Sequence, residues 1–507
     1  MSLAAFRYLV AVLPDGRTLT TVAARTSTAE PMETKVQTSA DILARMQQEV
    51  PPGRQCLNGE ELRQLATRTQ ALLASKPAAQ EEYRRFLAAA RKDIDLPHPV
   101  LAACLKGKRI LVSGGTGCVG TTLMAQLARL EPACLVSVSR GVTQGWPRLA
   151  DADYVHADIR DRDQLAAVFD HANCDIVFHV AGQRDPGLAE HEVHRTVTTN
   201  VLGTRNVVSA AAASGVSHVV AASTGKAFRP YSPEIYTASK RAAEWLLCRA
   251  AADGPAACSA ARFTHVIDNS IIHARLLDWC NGGVIRLHSP DIAFYVQSAL
   301  QSAQLLLAAA AGAQWGSLRV HAINDLGWPV ALVDVALGVL ARTGSTAPIY
   351  FSGYDRGYES APFPALYDPL TAGDMSPLIS AFEGAGTEKA WGGDIDVFPL
   401  QIAAAPALEE RMEALAATCA RTEQPEPVRA ALDDLSWALF DATMAAAPRR
   451  TLARAAQRCE RQRGALDAIH ARMLATIGQY AAGANPVPAA RKQPAGGELP
   501  TEMIGTP

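Results

Sequence analysis

The chain has 507 residues, of which 49% are hydrophobic and 19% charged, and its formal net charge is −2 at pH 7. This length predicts two or three folded units, and the composition is ordinary for a globular protein that buries a core. The charge balance lacks the basic footprint of a protein that binds nucleic acid or an anionic membrane. We therefore expect neither nucleic acid nor a membrane as a partner.

The cysteines and the apolar runs narrow the class of protein further. Ten cysteines are scattered without a Cys-x-x-Cys pair, which indicates neither a zinc site nor a disulfide framework, so we expect no metal. The chain lacks a basic-then-apolar leader, and no apolar run approaches the roughly 20 residues that a membrane helix needs. These patterns favour a cytoplasmic location with reduced thiols.

Residues 1–104 read as an accessory segment. Alternating apolar residues around a Pro-Asp-Gly turn predict a β-hairpin over residues 6–23. Asn58 is a suitable N-cap for the second of three predicted helices. These helices cover residues 39–48, 59–74 and 78–92.

Strands and helices alternate over residues 105–360, which predicts the α/β class with a Rossmann-type doubly wound parallel sheet. The apolar runs suited to buried parallel strands lie at residues 110–113, 135–138, 152–155, 176–180 and 218–222. The helical patterns between and after them begin at Asp163, Val197, Ile235 and Val296.

The remainder of the chain predicts a connector, a helical region and a tail. Residues 361–398 are rich in Pro, Gly and Ala and are expected to be the connector. The helical patterns within residues 399–482 run over 406–420, 427–447 and 451–480. They predict either a bundle for homo-oligomerisation or a cap on the sheet, and residues 483–507 are predicted to be disordered.

A glycine-rich stretch over residues 109–120 carries the clearest functional signal. It reads Arg-Ile-Leu-Val-Ser-Gly-Gly-Thr-Gly-Cys-Val-Gly, a short strand followed by a turn and then by a helical pattern. Such glycines allow a tight turn and a close approach of backbone N–H groups to a pyrophosphate at a helix N-terminus. The residues expected to bind a dinucleotide here are Gly114, Gly117, Cys118, Val119 and Gly120.

A second signal opens the helix that begins at Ile235. Tyr236 and Lys240 are four residues apart, a spacing that places both side chains on one helical face. The lysine charge is expected to lower the pKa of the phenol toward the working pH, as a general acid–base requires. Lys240 could also hydrogen-bond the nicotinamide ribose.

The motifs follow one another along the chain in the order glycine loop, Asp158, Asn200, Ser223-Thr224, and Tyr236 with Lys240. Because of this order, the chain resembles an extended short-chain dehydrogenase/reductase. The resemblance implies an acidic turn that contacts adenine, a strand end that lines the cofactor and a helix with a structural asparagine. The further cofactor-side residues that it implies are Asp158, Ile159, Val180, Ala181, Gly182, Asn200, Tyr236 and Lys240.

The resemblance narrows to the capsular-polysaccharide branch of that family, and it covers residues 105–360, about half of the chain. It is carried by Ser223-Thr-Gly-Lys-Ala227, Pro230 and Lys240-Arg-Ala-Ala-Glu244. Members of this branch act as nucleotide-sugar 4,6-dehydratases and epimerases. A small-molecule, sugar-like substrate is therefore expected.

The substrate side departs from that pattern. Gly225 stands where the branch has the aspartate that expels a sugar hydroxyl, which disfavours a dehydratase of that type. The branch also has residues that hold the diphosphate of a nucleotide sugar, and other residues stand in their places here, at Thr264-His265, Phe294 and Asp355. Lys226 is retained, either as a base or anion ligand or as a surface lysine. His265 is either an acid–base group or a packed histidine.

The cofactor preference follows from the end of the second strand. Ser139 and Arg140 stand there, and no carboxylate follows before Asp151. An acidic residue at this place binds the ribose 2′-hydroxyl of NAD, whereas a guanidinium pairs with a 2′-phosphate. NADP is therefore favoured over NAD, with the alternative that Arg140 only covers the adenine.

The sequence thus predicts an NAD(P)-dependent enzyme that transfers a hydride at a secondary alcohol of a sugar-like substrate. Tyr236 is expected to move the hydroxyl proton, and Ser223 or Thr224 to hydrogen-bond the reacting oxygen. Lys240 and Lys226 complete the expected catalytic set. Return of the hydride to the other face would make the enzyme an epimerase, and no return a net oxidoreductase. Two alternatives stay open: a 4,6-dehydratase with a substitute acid, and a cofactor-binding pseudoenzyme or scaffold.

Overall fold

A computed structural model describes residues 37–141, 147–354, 358, 362–368, 370, 373–461 and 466–483. The predicted hairpin over residues 6–23 and the predicted tail beyond residue 483 lie outside the described residues. The helices are α1 Ser39–Glu49, α2 Gly59–Ser75, α3 Ala79–Ala88, α4 His98–Leu105, α5 Cys118–Ala128, α6 Arg162–Ala172, α7 Pro186–His191, α8 Val193–Val197, α9 Gly203–Ala213, α10 Ile235–Asp253, α11 Ile271–Cys280, α12 Ala299–Ala311, α13 Leu332–Thr343, α14 Pro406–Arg421, α15 Pro425–Ala446, α16 Arg449–Glu460 and α17 Ala468–Ala481. The strands are β1 Arg109–Ser113, β2 Cys134–Ser139, β3 Asp153–His156, β4 Ile176–His179, β5 His218–Thr224, β6 Ala257–Phe263, β7 His265–Val266, β8 Ile285–Leu287, β9 Ala293–Phe294, β10 Val296–Gln297, β11 Arg319–Ile323, β12 Val330–Ala331, β13 Ile349–Phe351, β14 Glu388–Ala390 and β15 Ile395–Pro399.

The main sheet has nine strands among the described residues, in the order β14-β15-β11-β6-β5-β4-β1-β2-β3. Seven neighbouring strands of this sheet run parallel, namely β3, β2, β1, β4, β5, β6 and β11, whereas β15 and β14 add an antiparallel edge. The order reverses between β1 and β4, which opens a crevice at the carboxyl ends of these two strands. The predicted α/β class with a doubly wound parallel sheet is confirmed.

The sequence predicted the first five strands and missed the others. β6 reads Ala-Cys-Ser-Ala-Ala-Arg-Phe and is fully buried, with Arg262 near its end. Small residues and a buried charge weaken the apolar signal of a central strand, because that signal depends on Val, Ile and Leu. The range 361–398 was expected to be a connector, but it contributes β14 and most of β15, whose backbone hydrogen bonds extend the sheet.

The accessory segment packs against the second half of the chain. Helix α3 lies on α13, and a Cβ atom at Gly338 would come within 2.3 Å of the Tyr83 Cβ, so glycine is needed for this close approach. Asn58 caps α2 as predicted, since its Oδ1 accepts hydrogen bonds from the N–H groups of Glu60 and Glu61. Helix α4 was not predicted, although Pro99 near its start is typical of a first helical turn.

The helical region holds four described helices rather than the three predicted. The pattern over 451–480 is divided into α16 and α17. Helices α14 and α15 share a buried apolar cluster with α7, α8 and α10, in which Leu435 and Leu439 lie with Trp245 and Leu246. The region therefore packs as a cap on the helical layer of the sheet. Among the helices of the described ranges, none combines the length and apolarity needed to cross a membrane.

Candidate active site

A cavity of about 2440 Å³ lies along the carboxyl ends of the parallel strands. Residues that directly follow β1, β2, β4 and β5 line it, as the crevice of a doubly wound sheet requires. Pockets for single small ligands measure roughly 300–1,000 Å³. This cavity therefore has room for two ligands side by side.

The three glycines of the loop after β1 have different roles. Gly114 has φ +79°, and a Cβ atom there would lie 2.7 Å from the Ala181 backbone N. A Cβ atom at Gly120 would lie 2.1 Å from the Gly114 carbonyl oxygen. At Gly117 the nearest atom would be 3.5 Å away. Packing thus excludes side chains at Gly114 and Gly120, whereas Gly117 faces open space in the cavity.

The start of α5 fits a pyrophosphate. Gly117 is its N-cap and supplies no side-chain hydrogen bond to the first turn. The predicted residues of this loop that line the cavity are Gly114, Gly117, Cys118, Val119 and Gly120. Free N–H groups and the positive end of the helix dipole favour an anion at this place, so the residues present fit a dinucleotide.

Replacement of Gly120 tests the packing of this loop. We expect Gly120→Ala to lower the free energy of unfolding by about 1–3 kcal/mol, because the new methyl group meets backbone that cannot move aside. Gly478→Ala is the matched control, since Gly478 lies in α17 with no atom within 4 Å of the added Cβ. Gly478→Ala should raise the free energy of unfolding by up to about 1 kcal/mol, because alanine favours the helix more than glycine does. Urea denaturation measures both, and equal effects would contradict this account.

The remaining predicted residues of the cofactor half also line the cavity: Ser139, Arg140, Asp158, Ile159, Val180, Ala181 and Gly182. Arg160 binds the Asp158 carboxylate through its Nε and Nη2 at 2.9 and 2.6 Å from Oδ2. Burial acts to raise the pKa of Asp158, but the hydrogen bonds from Arg160 outweigh it and lower the pKa. Arg140 Nη1 lies 4.0 Å from the same carboxylate, and its side chain is 45% exposed.

Asn200 was predicted to bind the cofactor, but it does not line the cavity. It is buried in a π-helical turn, where its Oδ1 accepts from the Gln183 N–H at 2.7 Å and its Nδ2 donates to Ser239 Oγ at 3.0 Å. Asn200 thus ties the loop after β4 to helix α10. Its amide is used within the protein, and a contact of Asn200 with the cofactor stays a prediction.

Tyr236 and Lys240 lie on the first turns of α10, and both line the cavity. Glu190 accepts a hydrogen bond from the Ile235 N–H at 2.7 Å and is held by Arg429 of α15 at 2.7 Å. This contact fixes the start of α10. Lys240 Nζ donates to the Ala222 carbonyl at 2.7 Å.

The expected lowering of the Tyr236 pKa by Lys240 is wrong for the structure as it stands. Burial raises the pKa of Tyr236 to about 12, although a hydrogen bond with Thr224 and the charge of Arg184 act against it. Burial also lowers the pKa of Lys240 to about 8. Both groups are shifted toward their neutral forms, because each loses hydration in this part of the cavity.

The two hydroxyl groups at the end of β5 are not equivalent. Ser223 lines the cavity, but its Oγ already donates to Glu244 Oε1 at 2.6 Å. Thr224 hydrogen-bonds Tyr236. Of the two candidates for contact with a reacting oxygen, Thr224 is therefore the one whose hydroxyl already faces the phenol.

Lys226 is paired with a carboxylate that the sequence reasoning missed. Its Nζ lies 2.5 Å from Oε1 of Glu234, which is 1% exposed and also accepts from Thr237. Burial acts to raise the pKa of Glu234, but the attraction of Lys226 outweighs it and the pKa is lowered. An acidic residue two positions before Tyr236 was the signal available in the sequence. Lys226 also lies 5.5 Å from the ring centroid of Tyr358.

Leu378 fills the place next to Gly225. A Cβ atom at Gly225 would lie 2.5 Å from Leu378 Cδ2, and Pro377 and Leu378 line the cavity. This segment precedes β14, in the range expected to be a connector. An aspartate at position 225 would therefore collide with Leu378, so the absent acid is replaced by apolar packing.

A buried network of charged groups lies next to Ser223. Arg262, fully buried on β6, binds Glu244 of α10 through two hydrogen bonds of 2.8 Å and also binds Glu383. Arg241 joins the network, with its Nη1 2.9 Å from Glu383 and its Nη2 donating to Thr443 of α15. Through Glu244 the network reaches Ser223, so the helical region and the 373–387 segment both support the cavity floor.

His265 lines the cavity but is a packed histidine. Its Nε2 is 2.7 Å from Ser270 Oγ, and its ring packs edge-on against Phe294 with 5.0 Å between centroids. Burial lowers its pKa to about 4, so the ring is neutral at pH 7. Phe294 thus contacts His265 at the place where the resemblance implies an arginine.

The cavity is cationic although the whole chain is slightly acidic. Among the described residues that line it, ten are lysine or arginine and six are aspartate or glutamate. Such a field favours anionic ligands. Within the described ranges, no group of three or more His, Cys, Asp or Glu side chains is placed to hold a metal ion.

Comparison with known proteins adds the following relationships. Residues 110–357 match a family described as polysaccharide biosynthesis protein. The capsular polysaccharide biosynthesis protein CapD of Staphylococcus aureus is 26% identical over 53% of this chain and 46% of its own length. The inverting UDP-N-acetylglucosamine 4,6-dehydratase of Campylobacter jejuni is 30% identical over 28% of this chain and 43% of its own. The chain thus spans less than half of these relatives. The structure of Pen from Bacillus thuringiensis aligns with a TM-score of 0.49 at 21% identity, over 58% of this chain and 88% of that one.

Proposed function

Because residues 110–357 belong to the extended short-chain dehydrogenase/reductase family, in its polysaccharide-biosynthesis branch, we propose that the chain transfers a hydride at a secondary alcohol of a sugar-like, nucleotide-linked substrate. One observation carries the proposal. The glycine loop, Thr224, Tyr236 and Lys240 all line one cavity that is large enough for two ligands. The cationic lining fits two anionic partners, a dinucleotide and a phosphorylated sugar.

The residues would divide the work as follows. A bound nicotinamide ring would accept or supply the hydride. Tyr236 would take the proton of the substrate hydroxyl during oxidation and return it during reduction, while Thr224 hydrogen-bonds the same oxygen. Since burial raises the pKa of Tyr236 to about 12, its base form depends on positive charge nearby, of which Arg184 supplies one. Lys240, whose pKa burial lowers to about 8, would add to that charge when it is protonated.

A 4,6-dehydratase is less well supported. It needs an acid at the sugar hydroxyl that leaves, and Leu378 fills the place where the branch has aspartate. Glu234 is the carboxylate paired with Lys226, but its lowered pKa keeps it ionised, so it is a poor proton donor at pH 7. A dehydratase would produce a ketosugar that absorbs in alkali, which distinguishes it from an epimerase.

Purified full-length chain tests the proposal. We expect it to bind NADP⁺ or NAD⁺, and to convert at least one member of a panel of nucleotide sugars. Cofactor that is recovered unchanged with a converted sugar would indicate epimerisation, and net cofactor reduction would indicate a dehydrogenase. A chain that binds neither dinucleotide would overturn the proposal and favour a scaffold.

The proposed preference for NADP rests on Arg140. Loss of one charge-assisted hydrogen bond costs about 1.5–3 kcal/mol, so Arg140→Ala should weaken NADP⁺ binding about 10–100-fold and NAD⁺ binding little. Arg148→Ala is the control, since Arg148 packs over Tyr154 outside the cavity. Titration calorimetry with both dinucleotides measures the difference. An equal loss of affinity for NADP⁺ and NAD⁺ would mean that Arg140 only covers the adenine.

A further inference from the structure

The accessory segment reaches the cavity at the end formed by β8 and β13. Gly53, Arg54 and Gln55 lie between α1 and α2, and all three line the cavity that also contains Tyr236. They precede the family-matched region 110–357. This chain therefore adds a wall to the substrate half that the matched region does not encode.

Several hydrogen bonds hold this loop in place. The Gly53 N–H donates to the Ser352 carbonyl at 2.9 Å, and the Arg54 N–H donates to the Tyr350 hydroxyl at 2.9 Å. The Tyr350 hydroxyl in turn donates to the Pro51 carbonyl at 3.0 Å. Tyr350 itself is fully buried. The backbone of Arg54 is thus fixed on the strand β13.

Arg286 of β8 completes this end of the cavity. It donates to the carbonyl groups of Arg54 and Gln55 at 3.4 and 3.1 Å, and its guanidinium lies 5.4 Å from the ring centroid of Tyr350. Arg54 and Arg286 are therefore neighbours in the wall of the cavity. The Arg54 side chain is 56% exposed, and its Nε lies 3.8 Å from Glu61, a distance typical of a weak ion pair.

Aromatic rings connect this end to the catalytic residues. His288 stacks on Tyr354 with 5.9 Å between centroids and an interplanar angle of 15°, and it lies 5.0 Å from Tyr358. Tyr358 in turn lies beside Lys226. A substrate whose sugar reaches Tyr236 would extend past these rings toward Arg54 and Arg286.

We propose that Arg54 and Arg286 bind a phosphoryl or pyrophosphoryl group of the substrate, which makes Arg54 a specificity-determining residue supplied by the accessory segment. The proposal depends on the proposed function only for the sugar that the phosphoryl group carries. Forked guanidinium groups match phosphate oxygens in geometry and charge. Asp291 is an acidic residue that lines the same cavity, and Glu61 is the carboxylate that lies beside Arg54.

Titration calorimetry with sodium pyrophosphate tests the subsite without cofactor or sugar. The full-length chain carries Gly117→Val to obstruct the other anion site, at the start of α5. The Cβ atom of the new side chain meets no atom closer than 3.5 Å. In this background we expect pyrophosphate binding, weakened at least about tenfold by Arg54→Ala, a loss typical of a charge-assisted contact. Arg54→Lys should retain part of the affinity, since it keeps the charge but not the fork.

Arg63→Ala is the matched control, because Arg63 pairs with Glu60 on the exposed face of α2. It should bind pyrophosphate as the Gly117→Val chain does. Equal affinity with and without Arg54, or no pyrophosphate binding at all, would overturn the proposal. The titration needs no turnover, so its outcome is separate from that of the hydride-transfer assay. With an active substrate, Arg54→Ala should raise KM about tenfold or more and leave kcat within about twofold.

Discussion

Tyr236→Phe is expected to lower the rate of hydride transfer by about 10²–10⁴-fold, the usual contribution of a positioned acid–base group. The substitution removes one hydroxyl and leaves the ring in place, so α10 and the cavity wall keep their packing. The dinucleotide contacts proposed for the glycine loop do not involve the phenol. Affinity for the dinucleotide should therefore change less than about threefold, well below the effect of losing a charged contact.

The measurement pairs a binding titration of NADP⁺ with the rate of nucleotide-sugar conversion. Tyr480→Phe is the control, since Tyr480 is a partly buried tyrosine of α17 outside the cavity. It should match the wild-type rate. A Tyr236→Phe chain that keeps the wild-type rate would show that another group moves the proton. A lost rate together with lost dinucleotide binding would point instead to the cofactor contact that the resemblance implies for Tyr236.

Arg262→Met is expected to lower the free energy of unfolding by about 3–5 kcal/mol, because it leaves buried carboxylates without their main partner. Arg262 is fully buried and binds both Glu244 and Glu383. Arg241 alone would then face the two carboxylates. Whole domains are stable by only about 5–15 kcal/mol, so this loss is large. Urea denaturation at pH 8 measures it.

The pH dependence distinguishes a charge effect from simple loss of packing. In the wild type, burial acts to raise the pKa of Glu244, but attraction to Arg262 outweighs it and the pKa is lowered. That contribution to stability is present above the unfolded pKa and lost as the pH falls through the lower folded pKa. Without Arg262 the folded pKa should rise above the unfolded one, so protonation relieves the penalty. The gap between variant and wild type should thus be smaller at pH 5 than at pH 8.

Two further variants sharpen this test. Arg262→Met combined with Glu383→Gln removes one stranded charge and should recover part of the lost stability. Arg249→Met is the control, because its pair with Glu409 is exposed on both sides, and it should unfold as the wild type does. If Arg262→Met loses the same stability at both pH values, and Glu383→Gln recovers none of it, lost packing rather than stranded charge would account for the effect.

Features that depend only on neighbouring residues could be predicted without the fold. The strand before Gly114, the helix after it and the Tyr236–Lys240 spacing are local patterns, and each predicts a backbone geometry directly. The parallel strand order then follows from alternating strands and helices, since such connections are right-handed and short. For this reason the glycine loop, Tyr236 and Lys240 line one cavity at the carboxyl ends of the strands.

Which groups surround the proposed catalytic residues depends on contacts between distant parts of the chain. Leu378 beside Gly225, Glu383 below Arg262 and Arg54 at the far wall are all remote in sequence from the groups that they meet. The same is true of the Tyr236 pKa, which burial raises although the lysine spacing favours a lower value. Burial and long-range contacts depend on how separate segments pack, and no local pattern encodes that packing. The fold class and the residues of the proposed hydride-transfer site could thus be predicted from the sequence, whereas the shape and charge of the substrate end needed the fold.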